Sequence, residues 1–144
     1  MTTETNHARQ PRGQVRRITV EISPGELIDK ITILEIKNEQ IADVVKLRNV
    51  RVELDALRAV RDAAVQPSQA LAALTDELKG INEALWQIED QIRVCEQQRV
   101  FGARFIELAR SVYRQNDRRS LAKRRINELL GSRLVEEKSY TSYE

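Results

Sequence analysis

The sequence predicts an all-α protein, and three observations carry that prediction. Of 144 residues, 32% are charged and 4% aromatic, with 5 Gly and 3 Pro, a composition of long helices rather than of a sandwich or barrel. Leu71, Leu74, Leu78, Ile81, Leu85, Ile88, Ile92 and Cys95 recur at alternating steps of three and four, the seam of a helix with one buried face. No Gly or Pro interrupts the chain between Gly25 and Pro67, so no helix breaker stands there. The expected architecture is an antiparallel coiled-coil helical hairpin plus two shorter C-terminal helices, with one short N-terminal strand.

Residues 1–14 carry almost nothing apolar and read as a disordered tail. In 15–22, Ile18, Val20 and Ile22 alternate with Arg17, Thr19 and Glu21, the period of a half-buried strand. Ser23-Pro24-Gly25-Glu26 starts a helix. Ser23 is the cap, Pro24 at the first helical position forfeits no hydrogen bond, and Glu26 stands where a capping box closes. The helix predicted here runs near 24–65, with room for a break near 42–48. Leu27, Ile31, Leu34 and Ile41 share one face, while Ile33 and Ile36 fall nearly opposite, so this helix should pack on two sides. Gln66-Pro67-Ser68-Gln69 is the turn into a helix near 68–98 that carries the long seam. The hairpin should close across that turn. Phe101, Phe105, Leu108 and Val112 mark a third helix near 102–115. Gln115-Asn116-Asp117 breaks the pattern, Asp117 is a plausible cap, and a last helix near 118–130 stops at Gly131. Residues 15–131 thus form a single helical domain, and 132–144 a polar C-terminal tail.

Several function classes fall away on composition. No stretch is apolar enough to cross a membrane, and the N-terminus has no secretory core segment. One Cys and one His leave no metal site and no His-based triad, and Cys95 sits on the seam as a buried thiol. Neither Gly-rich phosphate loops nor zinc-hydrolase motifs occur, so no cofactor is called for. Net charge is +2, but the signs are segregated. Residues 21–90 hold eight Lys/Arg against fourteen Asp/Glu, and 93–133 hold eleven against four. Acidic helices packed beside basic ones would account for this. A nucleic-acid binder is disfavoured by the few aromatics and modest net charge.

Two sets of residues are candidates for a ligand wall. Trp86, Glu89, Asp90 and Arg93, with Asn82 and Gln97, stand at steps of three and four beside the seam, an aromatic face next to carboxylates and a guanidinium. Arg110, Arg114, Asn116 and Arg118, with Asp117, Arg119, Lys123 and Arg125, gather near a predicted helix start whose free N–H groups favour anions. A third set, Asp29, Lys30, Glu35 and Lys37, reads as an ion-paired helix border.

The strings Ile22-Ser23-Pro24-Gly25-Glu26-Leu27-Ile28-Asp29-Lys30-Ile31-Thr32-Ile33-Leu34-Glu35-Ile36-Lys37, Leu85-Trp86-Gln87-Ile88-Glu89-Asp90, Leu108-Ala109-Arg110-Ser111-Val112-Tyr113, Asn116-Asp117 and Glu136-Glu137-Lys138-Ser139-Tyr140 resemble an uncharacterised bacterial family, a domain of unknown function. That family occurs alone or beside tetratricopeptide-type repeats, sometimes in cell-surface polysaccharide contexts. The resemblance covers residues 18–140 and implies a bacterial, cytoplasmic setting with a tilt toward sugar or sugar-phosphate metabolism. It supplies no catalytic residue.

The residues favour a helical interaction or assembly module over an enzyme. The alternative is a small all-helical binder or enzyme acting on an anionic metabolite such as a sugar phosphate, nucleotide sugar or dicarboxylate. Leu27–Lys37 is loosely similar to the first helix of the helical chorismate mutases, but no Arg lies between Arg17 and Arg48, where that pattern needs one. A homodimer is expected, with Ile33 and Ile36 or the strand at the contact.

Overall fold

A computed structural model describes residue 13 and residues 15–144; apart from Gly13, the tail expected at 1–14 lies outside the described residues. Four helices follow one another: α1 (Pro24–Gln40), α2 (Val44–Ala64), α3 (Gln69–Gln98) and α4 (Ala103–Leu129). No helix among the described residues is long and apolar enough to cross a membrane.

The local start and stop signals operate as chemistry requires. The Ser23 hydroxyl accepts the Glu26 N–H at 3.1 Å, and Pro24 opens α1. Only half of the capping box closes, because the Glu26 carboxylate turns instead to Lys123 Nζ at 2.7 Å. The expected break comes at 41–43, where Asp43 caps α2 by accepting the Lys46 N–H at 2.9 Å. Ser68 caps α3 in the same way, through the Leu71 N–H at 3.1 Å. α3 ends on Arg99 in the left-handed region, φ 58°. Past α4, Gly131 adopts φ 64°, the termination expected of it.

α1 is the centre of the molecule. It packs against α2 on one side and against α3 and α4 on the other, so both of its apolar stripes are used. Leu27, Ile31 and Leu34 meet Val50 and Leu54 of α2. Ile28 joins Leu71, Leu78 and Ile81 of α3 and Ala122 and Ile126 of α4. Ile36 is 2% exposed within the single chain and so is not left for the dimer contact expected there, while Ile33 is half-buried.

Three expectations are corrected. The hairpin does not close across 66–69: the turn is in place, but α2 folds back on α1, and α3 pairs with α4. The three-residue link at 41–43 permits the first pairing, and α4 and α1 together cover the α3 seam that α2 was expected to cover. Next, the two C-terminal helices are one. α4 runs unbroken through Gln115-Asn116-Asp117, because Asp117 is bound by the tail and does not compete for backbone N–H groups. Packing at Leu108, Ala122 and Ile126 then outweighs weak local propensity. Finally, residues 15–22 form no strand. A strand needs a neighbour's N–H and C=O groups, and no second strand exists among the described residues. Ile18 and Val20 accordingly stand 79% and 71% exposed.

Candidate functional site

The densest polar chemistry lies between α1 and α4, at positions where the α1 sequence turns from apolar to polar. Gly25, Asp29, Thr32 and Ile36 follow each other at steps of four, three and four on one helix face, and that face is buried. Asp29, 1% exposed, accepts from Arg119 Nε at 2.8 Å and Nη2 at 2.5 Å. Its first oxygen also accepts from Asn82 Nδ2 of α3 at 3.0 Å. The same amide donates to Thr32 Oγ1 at 3.0 Å, and the Thr32 hydroxyl donates to the Asp29 carbonyl at 2.8 Å. Every member of this group is partnered. The Asp29 carboxylate raises the Arg119 pKa above its ordinary value against the opposing effect of burial.

Two more contacts extend the group into a ladder along the antiparallel α1–α4 contact. Lys123 sits between Glu26 at 2.7 Å and Glu136 at 3.2 Å. Burial works against its ammonium, but Glu26 and then Glu136 outweigh it, so its pKa is raised. Beyond it, the Gly25 N–H donates to Asn127 Oδ1 at 2.7 Å. The other amide atom of Asn127, Nδ2, is buried without a partner among the described residues. Successive turns of α4 thus offer Arg119, Lys123 and Asn127 to Asp29, Glu26 and Gly25. Such an arrangement orients and locks two helices.

A second feature lies on the outer side of α4, where the tail from Ser132 to Glu144 runs back along the helix. Lys138 Nζ reaches Asp117 at 2.6 Å, the Tyr143 hydroxyl donates to Asp117 at 2.6 Å, and the Tyr143 ring meets Tyr113 edge-on at 5.0 Å. Between helix and tail an open groove of about 1540 Å³ is lined by Arg114, Asn116, Arg118, Arg119 and Lys123 among others. Its cations are largely engaged: Arg119 and Lys123 as above, Arg124 with Glu128 and Glu137, and Lys138 with Asp117.

Lys138 first, then Tyr143, hold the Asp117 carboxyl below its ordinary pKa, and Tyr143 is pushed up to about 12 by Asp117. The signs follow. A lowered carboxyl holds the tail fully above the ordinary carboxylate range near pH ~4, and the hold is lost as pH falls through the lowered value. A raised phenol holds it fully below the ordinary value of 10.0 and loses the hold as pH rises through about 12. Asp117→Ala should therefore speed chymotryptic cleavage at Tyr140 and Tyr143 several-fold at neutral pH while leaving the circular dichroism unchanged. Equal cleavage rates would show that the tail is held by other contacts.

Of the residues singled out in the sequence, the groove gathers Arg114, Asn116, Asp117, Arg118, Arg119 and Lys123. Trp86 is half-buried on α3, and Glu89, Asp90 and Arg93 are exposed there. Arg93 pairs with Glu89 one turn away. Arg110 points to Glu107 at 3.7 Å. None of these five lines the groove. Because α4 is continuous, no helix N-terminus stands beside Arg114 and Arg118. The α1–α4 ladder escaped the reading of Asp29 as a helix border. Its signal was present in the 25–29–32–36 spacing, which places a carboxylate on a face otherwise destined for burial. Among the described residues no group of His, Cys, Asp and Glu could hold a metal ion.

No curated protein and no solved structure matches the chain. One family model does, over residues 18–143, which span all four helices, the α1–α4 ladder and the tail. On that match the chain belongs to DUF6165, a family of unknown function.

Proposed function

We propose that this protein is a helical interaction module that assembles with other polypeptide chains through outward helix faces. One observation carries the reading. Helix α2 leaves a row of apolar side chains in solvent. Only Val50 and Leu54 of its 21 residues are buried, whereas Val44, Val45, Val52 and Val60 are 53–70% exposed. Apolar side chains gathered on one exposed helix are where partners dock. The internal polar ladder suits a scaffold, since it fixes how the helices stand without consuming that surface.

The test is photo-crosslinking from position 52 on α2, with the full chain expressed in its host. Discrete adducts of higher mass support the module. Their absence there, and at the exposed position 101 between α3 and α4, would overturn it.

A second reading has its own observation. Arg118 is exposed, makes no ion pair among the described residues, and faces the groove with Arg114 and Asn116. A small anionic metabolite would fit that chemistry. A thermal-shift panel of sugar phosphates, nucleotide sugars and dicarboxylates decides the matter. A rise confined to one class and removed by Arg118→Ala would favour the second reading; a uniform response erased by salt would not.

A further inference from the structure

We propose that the partner of α2 is a second copy of this chain, paired antiparallel through the face of α2 that points away from α1. This rests on the interaction-module reading and deepens it. Val50 and Leu54 define the side of α2 held by α1. At 3.6 residues per turn, Val45, Asn49, Val52, Ala56, Ala59 and Ala63 centre on a line roughly 165° from that side. All six are exposed. They follow steps of four, three, four, three and four, a heptad seam with no helix of its own chain to cover it. Small residues along half of it let a second helix approach closely, so that Val45 and Val52 of one copy fill the space left by Ala56 and Asn49 of the other.

The charges beside the seam choose the partner and the register. Arg48 and Asp55 flank it on one side, Lys46 and Glu53 on the other, and all four are exposed. Among the described residues, Lys46, Arg48 and Asp55 make no ion pair, and Glu53 makes only a long one, 3.9 Å to Lys30. In an antiparallel pair related by a twofold axis, each flank faces the same flank of the other copy. With the axis passing close to Val50 and Arg51, Arg48 meets the second copy's Asp55, and Lys46 meets the second copy's Glu53, each contact occurring twice. The neighbouring register, one half-heptad toward the C-terminus, brings Asp55 against Asp55 and Glu53 against Glu53. Like charges at those positions weigh against it, partly offset by Arg48 against the second copy's Asp62. Asn49, the polar residue in the seam, adds to the same choice, since a buried amide tolerates few alignments. The contact is one helix face per copy, at the low end of interface size, so it should be of micromolar strength and weaken with salt.

Analytical ultracentrifugation of the full chain tests the pairing. At concentrations well above that micromolar dissociation constant, in low salt, the expected mass approaches twice the 16.6 kDa of the monomer. Arg48→Asp alone sets Asp against the second copy's Asp55, and Asp55→Arg alone sets Arg against Arg48. Each variant should raise the dissociation constant about tenfold or more, and both sites are exposed, so helicity should not change. Mixed in equal amounts, the two variants should dimerise as the parent does, since both mixed contacts are again Asp against Arg. A parent chain that stays monomeric, or a mixture that stays as weak as its components, overturns the pairing. If the parent is monomeric while position 52 still crosslinks to a different polypeptide, the module reading stands and the second copy does not. If positions 52 and 101 yield nothing as well, both fail.

Discussion

Asp29→Ala should lower the unfolding free energy by about 3–5 kcal/mol, the cost of breaking a buried ion pair from one side. The carboxylate is 1% exposed and takes three hydrogen bonds from two other helices. Alanine leaves the Arg119 guanidinium and the Asn82 amide facing an apolar gap. Because the Arg119 side chain keeps 30% of its surface in solvent, it can recover some hydration, which places the expectation toward the lower end of that range. The size of the loss matters against a typical total of about 5–15 kcal/mol. Replacing both partners, as in Asp29→Leu with Arg119→Met, should return most of the stability, because no charge is then left buried alone. Urea melts of the single and double variants check both statements. A loss under about 1 kcal/mol for Asp29→Ala would mean that the pair is not part of what holds α1 to α4.

Gly25→Ala is expected to cost about 2–4 kcal/mol. A Cβ at this position would stand 2.4 Å from the Lys123 carbonyl oxygen and 2.8 Å from Asn127 Oδ1, well inside any real contact. The first obstacle is backbone within α4, so the helices must separate, and overpacking of that kind costs about 1–3 kcal/mol. Separation also stretches the Gly25–Asn127 hydrogen bond, worth about 1 kcal/mol more. The conformation of Gly25 is not at issue, since its φ is ordinary for a helix; what it provides is closeness. Thermal melts of Gly25→Ala beside Gly80→Ala make the comparison, because a Cβ at Gly80 meets nothing within 4 Å. At Gly80, in the interior of α3, alanine should be neutral or stabilising.

What the sequence discloses follows from how far each signal reaches along the chain. The start of α1 is legible because Ser23, Pro24 and Glu26 act within one turn. The α3 seam is legible because periodicity reports which face is buried. It does not report what buries that face, and this is why α2 was expected where α4 and α1 lie. The break expected at Gln115-Asn116-Asp117 was misread for a related reason. The groups that satisfy Asp117, on Lys138 and Tyr143, lie about two dozen residues downstream and carry no helical pattern of their own. Asp29 shows the limit most clearly. The 25–29–32–36 spacing can place Asp29 on a buried face, but which groups meet it there depends on how four helices stack. The candidate ligand residues divide along the same line. Spacing groups Trp86 with Arg93, and Arg110 with Arg114, but only the relative rotation of α3 and α4 decides which of them look into one groove.

The α1–α4 ladder also orders events during synthesis. Asp29 leaves the ribosome before its arginine, which follows 90 residues later. At about 5–20 residues per second, the interval is roughly 5–20 s. Throughout it α1 can dock on α2, whose contacts are local, while its other face stays wet around a hydrated carboxylate. That carboxylate resists premature burial, because burying an unpaired charge is costly and Arg119 has not yet been made. The opening helix is therefore kept soluble by the group that later secures it. A nascent chain arrested before residue 119 should present a folded α1–α2 hairpin with an unfilled face, the form on which a chaperone would act.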